Sequence, residues 1–216
     1  MAEDGYLPAL RFPALTRFFD PLISRALPER RVKQRLLGGA AIEPGHRVLD
    51  LGCGTGTLAI MVKAAHREAE VVGLDADRDI LALARTKAEA EDAEVRFDHG
   101  LSTELPYEEG SVDRVLSTLF FHHLSGADKR RTAAEVARVL RRGGELHVAD
   151  FGPPSDPLMW ALFGGVRLFD GLERTRDNAA GALPAIFEQG GLARATETTR
   201  TRTAFGTLAF YRADRP

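Results

Sequence analysis

The stretch VLDLGCGTGTLAI, residues 48–60, sets Gly52, Gly54 and Gly56 two apart, with Asp50 just ahead of them. Glycine weakens regular structure, so this density marks a backbone that turns tightly or lets something approach closely. A short apolar run leads in and a helical apolar pattern leads out. Strand, glycine turn and helix form the first unit of a doubly wound nucleotide fold, with free N–H groups at the helix start. The spacing is G-x-G-x-G. A pyrophosphate-binding turn asks for a small residue one place later, where this chain has Thr57, so a dinucleotide is off pattern. Asp75 ends a second apolar run, 19 residues after Gly56. An acid there accepts both hydroxyls of a ribose, or else caps the next helix; the neighbouring glycine turn favours the ribose.

A second chemical candidate is LFFHHLSG, residues 119–126, with His122 and His123 after a fourth expected strand. An imidazole beside a reacting group can take a proton, and His122 is the candidate base. A pair of capping or packing histidines is the competing reading. Adjacent histidines point apart on most backbones, and no carboxylates cluster beside them in the sequence. No metal centre is therefore expected.

These residues need elements to hold them. The patterns predict strands at Arg47–Gly52, Ala69–Asp75, 94–98, 111–118 and 144–151, alternating with helices at 57–66, 75–93 and 128–140. Such alternation is the signature of a parallel sheet covered on both faces. Residues 7–37 read as helical, interrupted by Pro13, Pro21 and Pro28 and stopped at Gly38–Gly39. Beyond Asp150 a proline-rich loop precedes an apolar helix over 158–169, broken at Gly164–Gly165. A further helix follows over 182–191, then two strands joined near Phe205–Gly206, a hairpin that would add antiparallel strands at the sheet edge. The expected architecture is a Rossmann-like α/β fold. It has a doubly wound, mostly parallel seven-stranded sheet, an antiparallel C-terminal strand and an N-terminal helical cap. One domain covers 1–216: cap 1–40, cofactor-binding core 41–152, substrate-side helices 153–190, strand pair 191–216.

Composition narrows the class. At 216 residues the chain is long enough for one sizeable core. A net charge of −2 lacks the basic footprint of a nucleic-acid protein. The single cysteine, Cys53, excludes an internal disulfide framework and fits a reducing cytosol. No secretory leader or membrane-length apolar run is apparent, so a cytoplasmic location is expected.

The stretches VLDLGCGTG, VVGLDAD, ELPYEEGSVDRVLS, FFHHL and EVARVLRRGGELHVADF follow one another in a telling order and separation. Together they closely resemble the class I S-adenosylmethionine-dependent methyltransferases. The resemblance is strongest to the bacterial small-molecule branch of ubiquinone/menaquinone C-methyltransferases and phospholipid N-methyltransferases. It covers residues 45–152 strongly and the flanks loosely. It implies S-adenosyl-L-methionine as cofactor and S-adenosyl-L-homocysteine as product. Asp50 would meet the methionyl ammonium, directly or through water. Gly52, Cys53, Gly54 and Gly56 would pass beneath the methionyl and ribose parts. Asp75 would hold the ribose and Ala76 would border the adenine. Ser117 and Thr118 would lie near the methionyl group. Where the family often has G-D-A, this chain has Gly100-Leu101-Ser102, so Leu101 would pack on the adenine, and Ser102 or Asp98 would supply a polar partner. Arg142 replaces the usual proline of R-P-G-G, in an expected turn before the fifth strand.

The function so implied is in-line methyl transfer to a small, lipophilic or aromatic acceptor. Two other readings stand beside it: a cofactor-binding protein without transferase activity, and a nicotinamide oxidoreductase, which Thr57 disfavours. Prolines Pro153 and Pro154 follow the fifth strand rather than the fourth, which weakens a nucleic-acid substrate. Tyr6, Phe12, Phe18 and Phe19, with Met159, Trp160, Phe163 and Phe169, would line an apolar acceptor pocket or simply fill core. Arg174 and Arg176 would bind an acidic group on the acceptor, or lie as ordinary surface arginines. Arg25, Arg30, Arg31, Lys33 and Arg35 form a basic stretch that would rest on an anionic membrane or be a solvated face. The acceptor atom and the oligomeric state are not legible.

Overall fold

The computed structural model describes residues 29–216. The cap expected over 1–40, with its aromatic residues, therefore lies outside the described residues as far as 28. The described chain opens with α1 (Glu29–Gly39), then β1 (Arg47–Leu51), α2 (Thr57–Ala65), β2 (Glu70–Asp75), α3 (Arg78–Ala90), β3 (Val95–His99) and β4 (Val112–Thr118). A 3₁₀ turn at Phe121–His123 leads to α4 (Gly126–Val139), β5 (Leu140–Phe151), α5 (Pro157–Asp170), α6 (Arg176–Ala179), α7 (Leu183–Gln189), β6 (Ala193–Thr203) and β7 (Gly206–Asp214).

The seven strands form one sheet in the order β3-β2-β1-β4-β5-β7-β6. β1 to β5 pair in parallel, while β7 runs antiparallel to both β5 and β6. The C-terminal hairpin forms as expected, but its second strand inserts between β5 and β6. Only β7 opposes the sheet, and β6 takes the edge. One face is packed by α4 and α7 through Ala133, Val136, Leu183 and Phe187. The other is packed by α1, α2, α3 and α5 through Leu36, Leu58, Leu81 and Phe163. The inner strands are apolar on both faces, as burial between two helical layers requires.

Local signals explain the boundaries. Asp77 caps α3 by accepting from the N–H groups of Asp79 and Ile80, and Ser125 caps α4 by accepting from Asp128 N–H. Two expectations fail. The helix over 157–170 is not broken at Gly164–Gly165. Its cap at Asp156, its proline at the first turn and the burial of Met159 and Phe163 outweigh two glycine penalties of about 1 kcal/mol each. Arg142 lies within β5 rather than in a turn before it, because β5 starts directly at Leu140. A register shift opposite Val112 and Arg114, with Gly143 at φ 74°, absorbs the extra residues.

Two clefts at the amino ends of β2 and β3 are lined by Lys63, Glu70, Glu89 and Arg96. They lie at the opposite end of the strands from the glycine turn. Among the described residues, no helix is long and apolar enough to cross a membrane.

Candidate active site

The carboxyl ends of β1, β2, β4 and β5 meet at the point where strand order reverses, between β1 and β4. The glycine turn follows β1. Gly52, Gly54 and Gly56 have φ of 69°, 53° and 72°, the left-handed region where a Cβ is strained. Their surroundings differ. A Cβ on Gly52 would lie 2.2 Å from Cδ2 of Phe120, and one on Gly56 would lie 2.7 Å from Cζ of Phe97. One on Gly54 would meet nothing within 4 Å. The outer glycines let protein side chains pack against the turn. The middle one faces open space, where a ligand fits.

Asp75 secures that turn. Its Oδ2 accepts from Gly54 N–H at 2.9 Å and its Oδ1 from Asp77 N–H at 3.0 Å. The N–H groups of Gly52 and Cys53 both reach Leu74 O, at 2.9 and 3.0 Å. The partly exposed carboxylate keeps lone pairs for a ribose. Ala76 follows, half-buried, and Gly100 N–H bonds Asp75 O at 3.1 Å. That bond brings Leu101, 50 % exposed, beside the end of β2 as an apolar flank.

Asp50 is buried on β1. Its Oδ2 accepts from Ala59 N–H at 3.0 Å, tying strand to helix, while its Oδ1 has no partner. Burial raises its pKa to about 7, against the lowering influence of Lys33 and the Ala59 N–H and with a further rise from Asp75. Lys33 was expected on a basic outer face. It is instead buried, paired with Glu29, and its charge acts on Asp50. The signal in the sequence is Lys33 at the apolar positions of α1, one residue from Val32 and three from Leu36. Cys53 is buried and its thiol is pushed strongly upward by burial, with Asp50 and Asp75 adding to it, so it is no nucleophile.

Two expected hydroxyls are used inside the protein. Ser117 donates to Leu51 O at 2.8 Å, bracing β4 against β1. Ser102 shares a 2.8 Å bond with Thr132 of α4. Each is buried, so neither presents its side chain to the cleft. Asp98 is also engaged, by Tyr107 OH at 3.2 Å and Arg96 at 3.0 Å.

After β4 the chain turns sharply at Leu119, whose φ of 54° is strained for a non-glycine residue, and places Phe120 over Gly52. His122 then enters the interior. Its Nδ1 lies 2.7 Å from Oδ1 of Asp150, at the end of β5, and its backbone N–H donates to Oδ2 of that residue at 3.3 Å. Its Nε2 lies 3.7 Å from Oδ2 of Asp170, the last residue of α5, and His123 Nδ1 lies 3.2 Å from Oδ1 of Asp170. Burial works against the charged form of His122, yet Asp150 and Asp170 outweigh it and the net shift is upward. His123 is shifted down by burial and by His122. Burial favours the neutral form of Asp150, but His122 and the Phe151 N–H hold the carboxyl low.

The expectation that the histidines diverge is thus corrected. Their ring centroids lie 3.9 Å apart, and both rings turn toward Asp170. The carboxylates missing from the local sequence arrive from β5 and α5. Asp150 and Asp170 were legible only as the end of a strand and the end of a helix. Of the proposed pocket residues, Met159 and Phe163 are core, while Trp160 is 49 % exposed and stacks with Arg167. Arg174 is half-buried and its carbonyl receives Lys129, while Arg176 is exposed.

A parallel sheet closed by one reversed strand, a glycine turn after β1 and an acid after β2 define the class I methyltransferase fold. Residues 48–144 match the family model described as a methyltransferase domain. The matched stretch is a methyltransferase domain, with the features of the class I S-adenosylmethionine-dependent methyltransferases. It is 42 % identical over 124 residues to a demethylmenaquinone methyltransferase of Thermus thermophilus, covering 57 % of this chain and 56 % of that protein. It is 40 % identical over 155 residues to the demethylmenaquinone methyltransferase of Deinococcus radiodurans, covering 70 % and 63 %. The chain therefore spans less than two thirds of these relatives. The solved structure of YcgJ from Bacillus subtilis superimposes with a TM-score of 0.64 at 28 % identity, over 80 % of this chain and 72 % of that one.

The cofactor of this family is S-adenosylmethionine. The residues present fit it. Asp50 offers an unpartnered buried carboxylate oxygen, Gly54 an open face, and Asp75 spare acceptor capacity.

Proposed function

We propose that this protein transfers a methyl group from S-adenosylmethionine to a small lipophilic aromatic acceptor, with an isoprenoid hydroquinone as the leading candidate. The observation that carries the reading is the unpartnered Oδ1 of Asp50 beneath a glycine turn that Asp75 braces. The identity to two demethylmenaquinone methyltransferases supports the choice of acceptor. When bound, the cofactor supplies an electrophilic methyl group, and the protein's task is positioning. Asp50 accepts from the methionyl ammonium. Asp75 holds the ribose and, through Gly54, the shape of the turn. Ala76 and Leu101 flank the adenine, and Ser117 keeps β4 in register with β1 beneath it.

Asp150 holds His122 with Nδ1 protonated, so Nε2 is the nitrogen that accepts a proton from the acceptor's hydroxyl. Removing that proton makes an electron-rich oxygen, or an activated ring carbon beside it, and such a base is typically worth ~10²–10⁴-fold.

The test pairs calorimetry with S-adenosylhomocysteine and transfer of label from methyl-labelled cofactor to a short-chain demethylmenaquinol. Binding with label in the quinol is the expected result. Binding without any labelled product, from the quinol or from a metabolite extract, leaves a cofactor-binding protein. Absence of binding overturns the reading.

A further inference from the structure

His122, His123 and Asp170 present one ligand atom each, all within 4.8 Å of one another. We propose that they form a binding site for a divalent transition metal of the zinc class, and that its occupation silences His122 as a base.

Two imidazoles and one carboxylate supply these ligand atoms. The carboxylate of Asp170 spans both rings, with Oδ2 3.7 Å from His122 Nε2 and Oδ1 3.2 Å from His123 Nδ1. Ligand atoms around a tetrahedral ion with bonds of about 2.1 Å stand roughly 3.4 Å apart, and the contacts of the two imidazoles with the two oxygens of Asp170, 3.7 and 3.2 Å, lie on either side of that value. The ligand atoms of the two imidazoles lie within 4.8 Å of each other, and the His123 side chain, 34 % exposed, can turn to bring them closer.

The surroundings are prepared for an ion. Asp150 accepts a hydrogen bond from Nδ1–H of His122, which leaves Nε2 on the side of Asp170. A carboxylate behind a histidine in this way fixes the tautomer and strengthens the ligand, and it is the usual backing of a metal-bound imidazole. Asp150 and Asp170 bring two negative charges into a largely buried place, and a dication neutralises them. The nearby cation Lys129 is spoken for, by Arg174 O and the Asp177 carboxylate. Two nitrogens and one carboxylate select zinc, cobalt, nickel or copper over magnesium and calcium, which prefer oxygen cages.

An ion on His122 Nε2 occupies the same lone pair that accepts the acceptor's proton, so binding and proton removal exclude each other. This second clause rests on the proposed transfer reaction, whereas the binding site does not.

The test is titration of the whole protein with Co²⁺, followed by its visible absorption and by displacement with Zn²⁺, with S-adenosylhomocysteine affinity measured alongside as a control on folding. One equivalent is expected to bind and raise a tetrahedral-type band that Zn²⁺ abolishes. Asp170→Asn and His123→Ala each should lose more than the roughly 10–100-fold in metal affinity typical of an outer-shell partner, while still binding S-adenosylhomocysteine. His123, being partly exposed, carries the comparison should Asp170→Asn fail to fold. Absence of stoichiometric Co²⁺ binding, or equal binding by His123→Ala and the native protein, overturns the site. Binding of the ion without inhibition of methyl transfer overturns only the silencing of His122.

Discussion

The N–H of Gly54 donates to Oδ2 of Asp75 at 2.9 Å, joining the middle of the glycine turn on β1 to the acid at the end of β2. One carboxylate thus shapes the turn and stands where a ribose would lie. Asp75→Ala should weaken S-adenosylhomocysteine binding by roughly 10–100-fold, the loss of about 1.5–3 kcal/mol expected for hydrogen bonds to a charged group. Asp75→Asn keeps an acceptor for Gly54 and should lose less. Calorimetry on both variants checks the order, and equal affinity for Asp75→Ala and the native protein would refute it.

The three glycines should respond differently to alanine. Gly52→Ala sets a Cβ 2.2 Å from the Phe120 ring at a φ of 69°. Gly54→Ala carries only the strain of its φ of 53°, about 1 kcal/mol. Thermal melts should place Gly52→Ala well below Gly54→Ala. Ligand titration should find Gly54→Ala impaired out of proportion to its stability, since its new methyl group enters the open face. Equal melting temperatures for the two would contradict the packing described.

Asp50 gives a dependence on pH. Its folded pKa of about 7 stands above the ordinary 3.8, so between those values the native state holds more protons than the unfolded chain. Stability should therefore fall as pH rises from about 4 to 7 on this group's account, then level off. Binding a cofactor ammonium favours the ionised carboxylate. S-adenosylhomocysteine affinity should rise with pH by at most about tenfold per unit and flatten above 7. Asp50→Asn, which still accepts from Ala59 N–H, should bind more weakly and lose that slope. Calorimetry across pH 5.5–8.5, in ~unit steps, decides it.

Asp150→Asn tests the positioning of His122. The amide can no longer hold the imidazole with Nδ1 protonated, so kcat for methyl transfer should fall by roughly 10²–10⁴-fold with little change in S-adenosylhomocysteine affinity. A parallel loss of cofactor binding would mean that Asp150 is structural instead.

Much of the core was legible early. The strands at 47–52 and after Gly206 follow from apolar period and turn residues, which need only neighbours in the chain. Asp50, Gly54 and Asp75 were readable for the same reason: each stands at a strand end, and a parallel sheet brings consecutive strand ends together. The sequence by itself therefore determined the doubly wound core and the strand ends that carry the glycine turn, Asp50 and Asp75.

The tertiary structure decided what lies across that end. Asp150 and Asp170 are 28 and 48 residues from His122 and acquire meaning only when β4, β5 and the end of α5 converge. Lys33 turned from a presumed surface charge into the buried neighbour of Asp50, and Ser102 and Ser117 turned inward to Thr132 and Leu51. Helix continuity across Gly164–Gly165, begun by the local Asp156 cap, was completed by the burial of Met159 and by the packing of Phe163 against the sheet. In each case the deciding partner comes from a distant segment, and local period and propensity carry no record of which buried charges and hydroxyls folding will bring face to face.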